Sequence, residues 1–280
     1  MPRSSRRPFA KSRSGCAPSS REGRAIGALY ESLLRKRRET GALFLPLVDQ
    51  ERIEPAACPS RAALLEENGA DALLVGSSFA LRDRLDAIVC GLKEGSSLPV
   101  ILFPGSAHQI SRRADGILFL TLLSGRNPLF LAEEQVRSAP RVKEHGLEPI
   151  PTGYLLVGCD GRTVHFVSGT HPIPADRPEI VMAHALAAEY MGMRAVYLEA
   201  GSGAASPVPP ATIRAVRGYV SIPLFVGGGI RSAAEAAAAR EAGADFVVVG
   251  HALEGEISAE KVRAMADAIH GRSQAAARRA

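Results

Sequence analysis

The sequence predicts an α/β fold, a parallel (β/α)8 TIM barrel in a single domain, on three observations. Short runs rich in Val, Ile, Leu and Phe alternate with Ala/Glu/Arg segments of helical period from residue 42 onward, the pattern of β-α units that build a parallel sheet. Eight such runs fall within about 230 residues, close to the length at which eight units close on themselves. No G-x-G-x-x-G follows the first run, as it would in an open dinucleotide-binding sheet.

The runs in order are "ALFLPLVD" (42–49), "ADALLVG" (70–76), "LPVILFPG" (98–105) and "ADGILFLTL" (114–122), followed by "LEPIPTGYLLV" (147–157), "MRAVYLEA" (193–200), "IPLFVGG" (222–228) and "ADFVVVG" (244–250). They read as nearly continuous apolar stretches because both faces of a barrel strand are covered. "ENGADALLVG", "SRRADGILFL" and "EAGADFVVVG" share one layout: a polar helix end or loop, a Gly or Ala-Asp turn, then a buried strand. The stretch "FVSGTHPIPADRPEI" (166–180) breaks the repeat with three prolines, and a short extra strand is expected at 163–167. This reads as a structured loop across the barrel mouth before the helix "EIVMAHALAAEYMG", where long loops usually serve a ligand.

Composition narrows the function classes. The 280-residue chain has 46% hydrophobic residues and a net charge of +5. Residues 1–24 carry seven Arg and Lys against Glu22 alone, a net +6 that leaves the remainder at −1. The charge therefore belongs to a Ser/Arg/Pro tail, 1–25, expected to be disordered ahead of a barrel domain at 26–272. The body lacks the charge footprint of a nucleic-acid binder. Four scattered cysteines, Cys16, Cys58, Cys90 and Cys159, form no C-x-x-C pair and are expected as free thiols of a cytoplasmic protein. No run approaches the roughly 18 apolar residues of a membrane span.

In a barrel, the site is built where strands end. The last three runs end in "EAGSG", "VGGGIR" and "VVGHA". Glycines let backbone N–H groups approach an anion closely, and the helix after "GGGIRSAAEAA" directs its positive end there. One glycine triplet is only a tight strand exit, but two such turns on consecutive strands point to phosphate, with Gly228, Gly229, Gly250 and His251 as the cradle. Glu199 ends the sixth run beside them. It reads either as the ion-pair partner of an arginine such as Arg231 or as a general base acting on a hydroxyl several atoms from the phosphate. Across the mouth, Asp49 ends the first run and Ser77 and Ser78 follow the second. A carboxylate and a hydroxyl suit Mg2+ that completes its shell with water and a substrate diphosphate, although an Asp at a strand end is more often a helix cap.

The strings "SGRNP", "PTGYLLV", "YLEAGSGA" and "VGGGIRSAAEA", in this order and spacing, resemble geranylgeranylglyceryl phosphate synthase, within the broader family that includes bacterial heptaprenylglyceryl phosphate synthase. The resemblance runs from about residue 42 to 268. It implies a (β/α)8 barrel that uses Mg2+ to transfer a prenyl group, geranylgeranyl by expectation, from an allylic diphosphate to the free primary hydroxyl of sn-glycerol 1-phosphate. The product would be an ether-lipid precursor. Carried onto this sequence, the glycerol-phosphate site falls on Tyr197, Leu198, Glu199, Ala200, Gly201, Ser202 and Gly203, with Gly228, Gly229, Gly250 and His251, and the metal on Asp49 and Ser78. Glu199 would orient or deprotonate the hydroxyl, the Tyr197 ring would neighbour the nascent carbocation, and Tyr154 and residues near Phe130 would line a groove for the prenyl tail. The resemblance also implies a homo-oligomer and leaves room for peripheral membrane contact through the lipidic substrate.

Two departures stand out. The family usually reads "DPDK" after the first strand, where this chain has "DQER" (49–52), and His251 stands where Thr or Asn is more usual. The competing expectations are a catalytically impaired phosphate-binding barrel of the same family, or a barrel isomerase or lyase acting on a small phosphorylated substrate.

Overall fold

The computed structural model describes residues 27–158 and 163–272; the expected basic tail at 1–25 lies outside them, as do Cys16 and Cys159. Eight strands close into a parallel barrel in sequence order: β1 Leu43–Asp49, β2 Leu73–Gly76, β3 Val100–Leu102, β4 Gly116–Leu122, β5 Glu148–Leu156, β6 Ala195–Glu199, β7 Leu224–Gly227 and β8 Phe246–Val249. Each lies inside one of the eight predicted runs. Closure is made by β1 pairing β8 through Leu43↔Phe246 to Pro46↔Val249.

Strand residues alternate between two apolar layers. Leu43, Leu45, Leu74, Tyr197, Phe225 and Phe246 fill the barrel interior, while Phe44, Leu73, Val75, Leu198 and Val226 pack outward against helices. That period of two makes the strands apolar throughout. Among the described residues the α-helices are α1 Ala28–Thr40, α2 Cys58–Glu67, α3 Leu85–Gly95, α4 Glu134–Glu144, α5 Thr163–Ser168, α6 Pro178–Tyr190, α7 Pro210–Arg217, α8 Ala233–Glu241 and α9 Ala259–His270. None of them is long and apolar enough to cross a membrane.

The end of the barrel where strands begin is closed by α1. Tyr30 stacks on Phe246 at 6.2 Å between ring centroids, and the Arg194 guanidinium lies over the Tyr30 ring at 4.7 Å from its centroid. Buried carboxylates tie this plug down. Glu148 accepts from the N–H groups of Leu29 and Tyr30 at 2.8 and 2.9 Å. Asp71 pairs with Lys36 at 2.7 Å, and Asp245 pairs with both Arg37 and Arg217.

At 163–167 the structure corrects the expected extra strand: these residues form helix α5. The β-branched Thr163, Val164 and Val167 raise strand propensity, but the segment folds back over the mouth and Ser168 Oγ donates to the Val164 carbonyl one turn earlier, at 2.5 Å. The strand-like pairing is made instead by a later residue, Ile173, which bridges Val157 beyond the end of β5.

Candidate active site

The strand ends open on one pocket, lined by residues from every side of the barrel mouth. On one side, Asp49 pairs with Gly76 in register, so Ser77 and Ser78 follow directly beside it. Asp49 Oδ1 accepts from Glu51 N at 2.9 Å, and Asp49 and Ser78 both border the pocket and an adjoining polar recess. Gln109, which sequence reasoning missed, is buried here. Its Oε1 accepts from Ser77 N and Gly105 N at 3.2 and 3.3 Å, and its Nε2 donates to the Ser77 carbonyl at 2.9 Å. The brace fixes the turn that carries Ser78, and a lone glutamine in "GSAHQIS" gave no signal of it.

Hard oxygens on a carboxylate and a hydroxyl fit Mg2+ that keeps water and diphosphate oxygens in its shell. Among the described residues no group of three or more His, Cys, Asp and Glu is placed to enclose an ion. Asp49 and Ser78 therefore border the pocket without belonging to a closed cage of such ligands.

On the opposite side stands Glu199, 5% exposed, at the end of β6. Its Oε1 accepts from Gly201 N at 2.6 Å. Burial pushes its carboxyl up to about 7, while the Gly201 N–H and the Tyr197 phenol hold it down. Tyr197 Oη sits close enough to Glu199 for each to perturb the other, yet has no hydrogen bond of standard geometry. The alternative Arg231 ion pair is not formed. Arg231 donates instead to the carbonyls of Ala204 and Ala205, each at 2.6 Å, clamping the loop after β6 onto the loop after β7.

Between those loops lies a glycine-lined hollow. Gly203, Gly228 and Gly229 have φ of 69°, 78° and 71°, a region that disfavours side chains. A Cβ on Gly228 would stand 2.2 Å from Glu199 Oε1, and one on Gly229 2.4 Å from the Ser206 carbonyl. Their N–H groups find no acceptor among the described residues, which suits an anion. The Gly201 N–H is already used by Glu199, and at the start of α8 the capping box uses the N–H groups of Ser232 and Glu235, with Arg231 N also donating to Glu235.

Other predicted residues divide. Ser202, Gly203, Gly228, Gly229, Gly250 and His251 border the pocket, whereas Leu198, Ala200 and Gly201 do not; Leu198 and Ala200 point into the outer apolar layer. His251 borders the pocket but its Nδ1 lies 3.1 Å from Glu254. Tyr197 is fully buried, its ring stacked on Phe103 at 4.9 Å and on Phe225 at 5.9 Å. Tyr197 nevertheless borders the pocket, with these two rings crowding the place the sequence reading gave to the nascent carbocation. From Tyr154 the pocket extends as an apolar groove past Ile117, Phe119 and Leu120 of β4 to Phe130, which sits in a turn of π-helix, Leu129–Glu133.

The PcrB family model matches residues 36–269. The geranylgeranylglyceryl phosphate synthase of Thermococcus kodakarensis is 46% identical over 234 residues, covering 83% of this chain and 92% of its own. That of Chitinophaga pinensis is 42% identical over 243 residues, covering 86% and 96%. Among solved structures, (S)-3-O-geranylgeranylglyceryl phosphate synthase from Thermoplasma acidophilum, in complex with its substrate sn-glycerol-1-phosphate, superposes with a TM-score of 0.83 at 36% identity, covering 87% of this chain and 98% of that one.

Proposed function

The chain belongs to the PcrB family, and from that premise we propose that it joins the prenyl group of geranylgeranyl diphosphate to the free primary hydroxyl of sn-glycerol 1-phosphate, with Mg2+ as cofactor. It is a prenyltransferase of the geranylgeranylglyceryl phosphate synthase type. Glycerol phosphate as acceptor follows from these relatives; the prenyl length, the metal and the residue roles are our reading.

One observation carries it: a buried carboxylate with its pKa raised to about 7 stands between a glycine hollow fit for phosphate and the head of an apolar groove. In this reading Gly203, Gly228 and Gly229 hold the phosphate through their N–H groups, which leaves the far hydroxyl of the small acceptor beside Glu199. As that oxygen bonds to C1 of the prenyl group, its proton passes to the Glu199 carboxylate, and the C1–O bond to diphosphate breaks with its electron pair leaving on diphosphate. Tyr197 Oη, beside Glu199 and without a hydrogen bond of standard geometry, orients the carboxylate or the acceptor hydroxyl. Asp49 and Ser78 would hold Mg2+, which would supply positive charge to neutralise the leaving diphosphate. Repulsion between Glu199 and phosphate is no obstacle, because they meet opposite ends of the acceptor.

Incubating the chain with Mg2+, labelled sn-glycerol 1-phosphate and prenyl diphosphates of several lengths tests this directly. An ether product is expected, most rapidly with the geranylgeranyl donor and lost on chelation. No product with any donor would overturn the assignment. An unchanged rate in Asp49→Ala would overturn the metal site.

A further inference from the structure

We propose that Phe103 is a catalytic residue, the aromatic face against which the allylic cation develops; this rests on the prenyl-transfer reading and deepens it. Four aromatic rings run through the upper barrel: Phe103 on Tyr197 at 4.9 Å, Tyr197 on Phe225 at 5.9 Å, and Tyr154 beside Tyr197 at 5.4 Å. Tyr197 and Phe225 are fully buried and Tyr154 is 6% exposed. Phe103, Tyr154 and Tyr197 all border the pocket, and of these Phe103 alone is half-buried, the other two being buried. It lies nearly parallel to Tyr197, 22° between planes, with Tyr154 tilted against it at 6.1 Å, so Tyr197 covers one face and the exposed part of the ring meets the pocket.

Its place in the chain is the second support. Phe103 follows β3, its N–H donates to the Val75 carbonyl at 2.7 Å, and its own carbonyl fills the space where a Cβ on Gly76 would stand, 1.8 Å away. Two residues on, Gly105 abuts the carbonyls of Ser77 and Ser78. The ring is therefore fixed between the Asp49 and Ser78 side, where the diphosphate would sit, and the β4 groove, where the chain would lie. C1 of an allylic donor spanning those two parts passes Phe103.

Phe103 makes and breaks no bond. As the C1–O bond gives its electron pair to diphosphate, positive charge spreads over the allyl carbons, and a ring quadrupole in a desolvated site stabilises that charge. A hydrocarbon ring is also unreactive, where a phenol or carboxylate would compete with the acceptor hydroxyl for C1.

The experiment replaces residue 103 site-specifically with mono-, di- and trifluorinated phenylalanine, which preserve shape and progressively deplete the ring's negative face. The same series at Phe225 serves as the control. Expected is a stepwise fall in kcat at position 103, none at 225, an unchanged KM for sn-glycerol 1-phosphate and an unchanged melting temperature. Phe103→Leu should lower kcat by about 30-fold. A flat series at position 103 overturns the proposal, even if Phe103→Leu is slow, since that pattern means packing alone. Equal slopes at 103 and 225 overturn it too. Failure of the unsubstituted chain to turn over any prenyl diphosphate is the separate outcome that removes the reading beneath it.

Discussion

At the scale of single residues, Glu199 links stability to chemistry through one proton. Burial raises its carboxyl from the ordinary 4.5 to about 7, so between those values the folded chain binds more protons than the unfolded one. Stability from this group is complete below about pH 4.5 and is lost as pH rises through 7, a loss of at most ~3 kcal/mol. Glu199→Gln should therefore unfold at higher denaturant than the parent at pH 8, and the two should converge below pH 5, as read by urea titrations. The same substitution removes the proton acceptor, and kcat should fall by about 10²- to 10⁴-fold. A folded, stabilised and inactive variant is the signature of a base held in an unfavourable place. In the parent, kcat/KM should rise with unit slope to a plateau above about pH 7. A pH-independent rate across pH 5 to 9 would remove Glu199 from proton transfer.

At the scale of elements, the loops after β6 and β7 act as one piece because Arg231 reaches from one to the carbonyls of the other. Arg231→Ala should free the Gly201–Pro209 segment and raise KM for glycerol phosphate by about tenfold or more, leaving KM for the prenyl donor unchanged; equal changes in both would mean general unfolding of the mouth. Gly228→Ala should be worse, since its Cβ would collide with Glu199 Oε1 and φ is 78°. Loss of measurable phosphate binding is expected there. Legibility in the sequence follows the range of the interactions. The eight strands and the glycine turns were readable because each is written in one short run, as was Glu199, which ends its own strand. Helix α5 was misread because a six-residue helix is too short to show a period and its β-branched residues favour strands. Phe103, Gln109 and the Arg231 clamp were invisible because their partners lie 26 or more residues away, or, for the Gly105 contact, inside one turn. The two departures from the resembling family prove connected: Arg52 of "DQER" and His251 both pair with Glu254, at 3.5 and 3.1 Å. No local pattern joins residues 52 and 251.

At the scale of the whole molecule, the barrel separates its functions by end. The mouth carries the unmet amide groups, the raised carboxyl and the half-buried ring, all of which cost stability. The other end carries satisfied buried charge: Glu148 on two α1 amides, Asp71 on Lys36 and the Phe44 N–H, Asp245 on two arginines and the Leu224 N–H. Each acid lies just before or at the start of a strand, so the set joins plug, strands and outer helices where no substrate comes. Glu148 is the sharpest place to test the division. It is 6% exposed and caps α1, whose Tyr30 closes the interior stack on Phe246. Glu148→Ala leaves two amides without their acceptor and opens a gap beneath α1. A loss of about 3 kcal/mol is expected, which lowers Tm by on the order of 10 °C in a domain of this size. Because the barrel wall between the two ends is close-packed and no bottom residue reaches the pocket, kcat and both KM values at 15 °C should stay within about twofold of the parent. If turnover instead falls in step with stability, the plug transmits to the site through the column of rings that runs from Tyr30 to Phe246, on to Phe225 at 4.2 Å, and through Tyr197 to Phe103, and the two ends of the barrel are one cooperative unit in function as well as in folding.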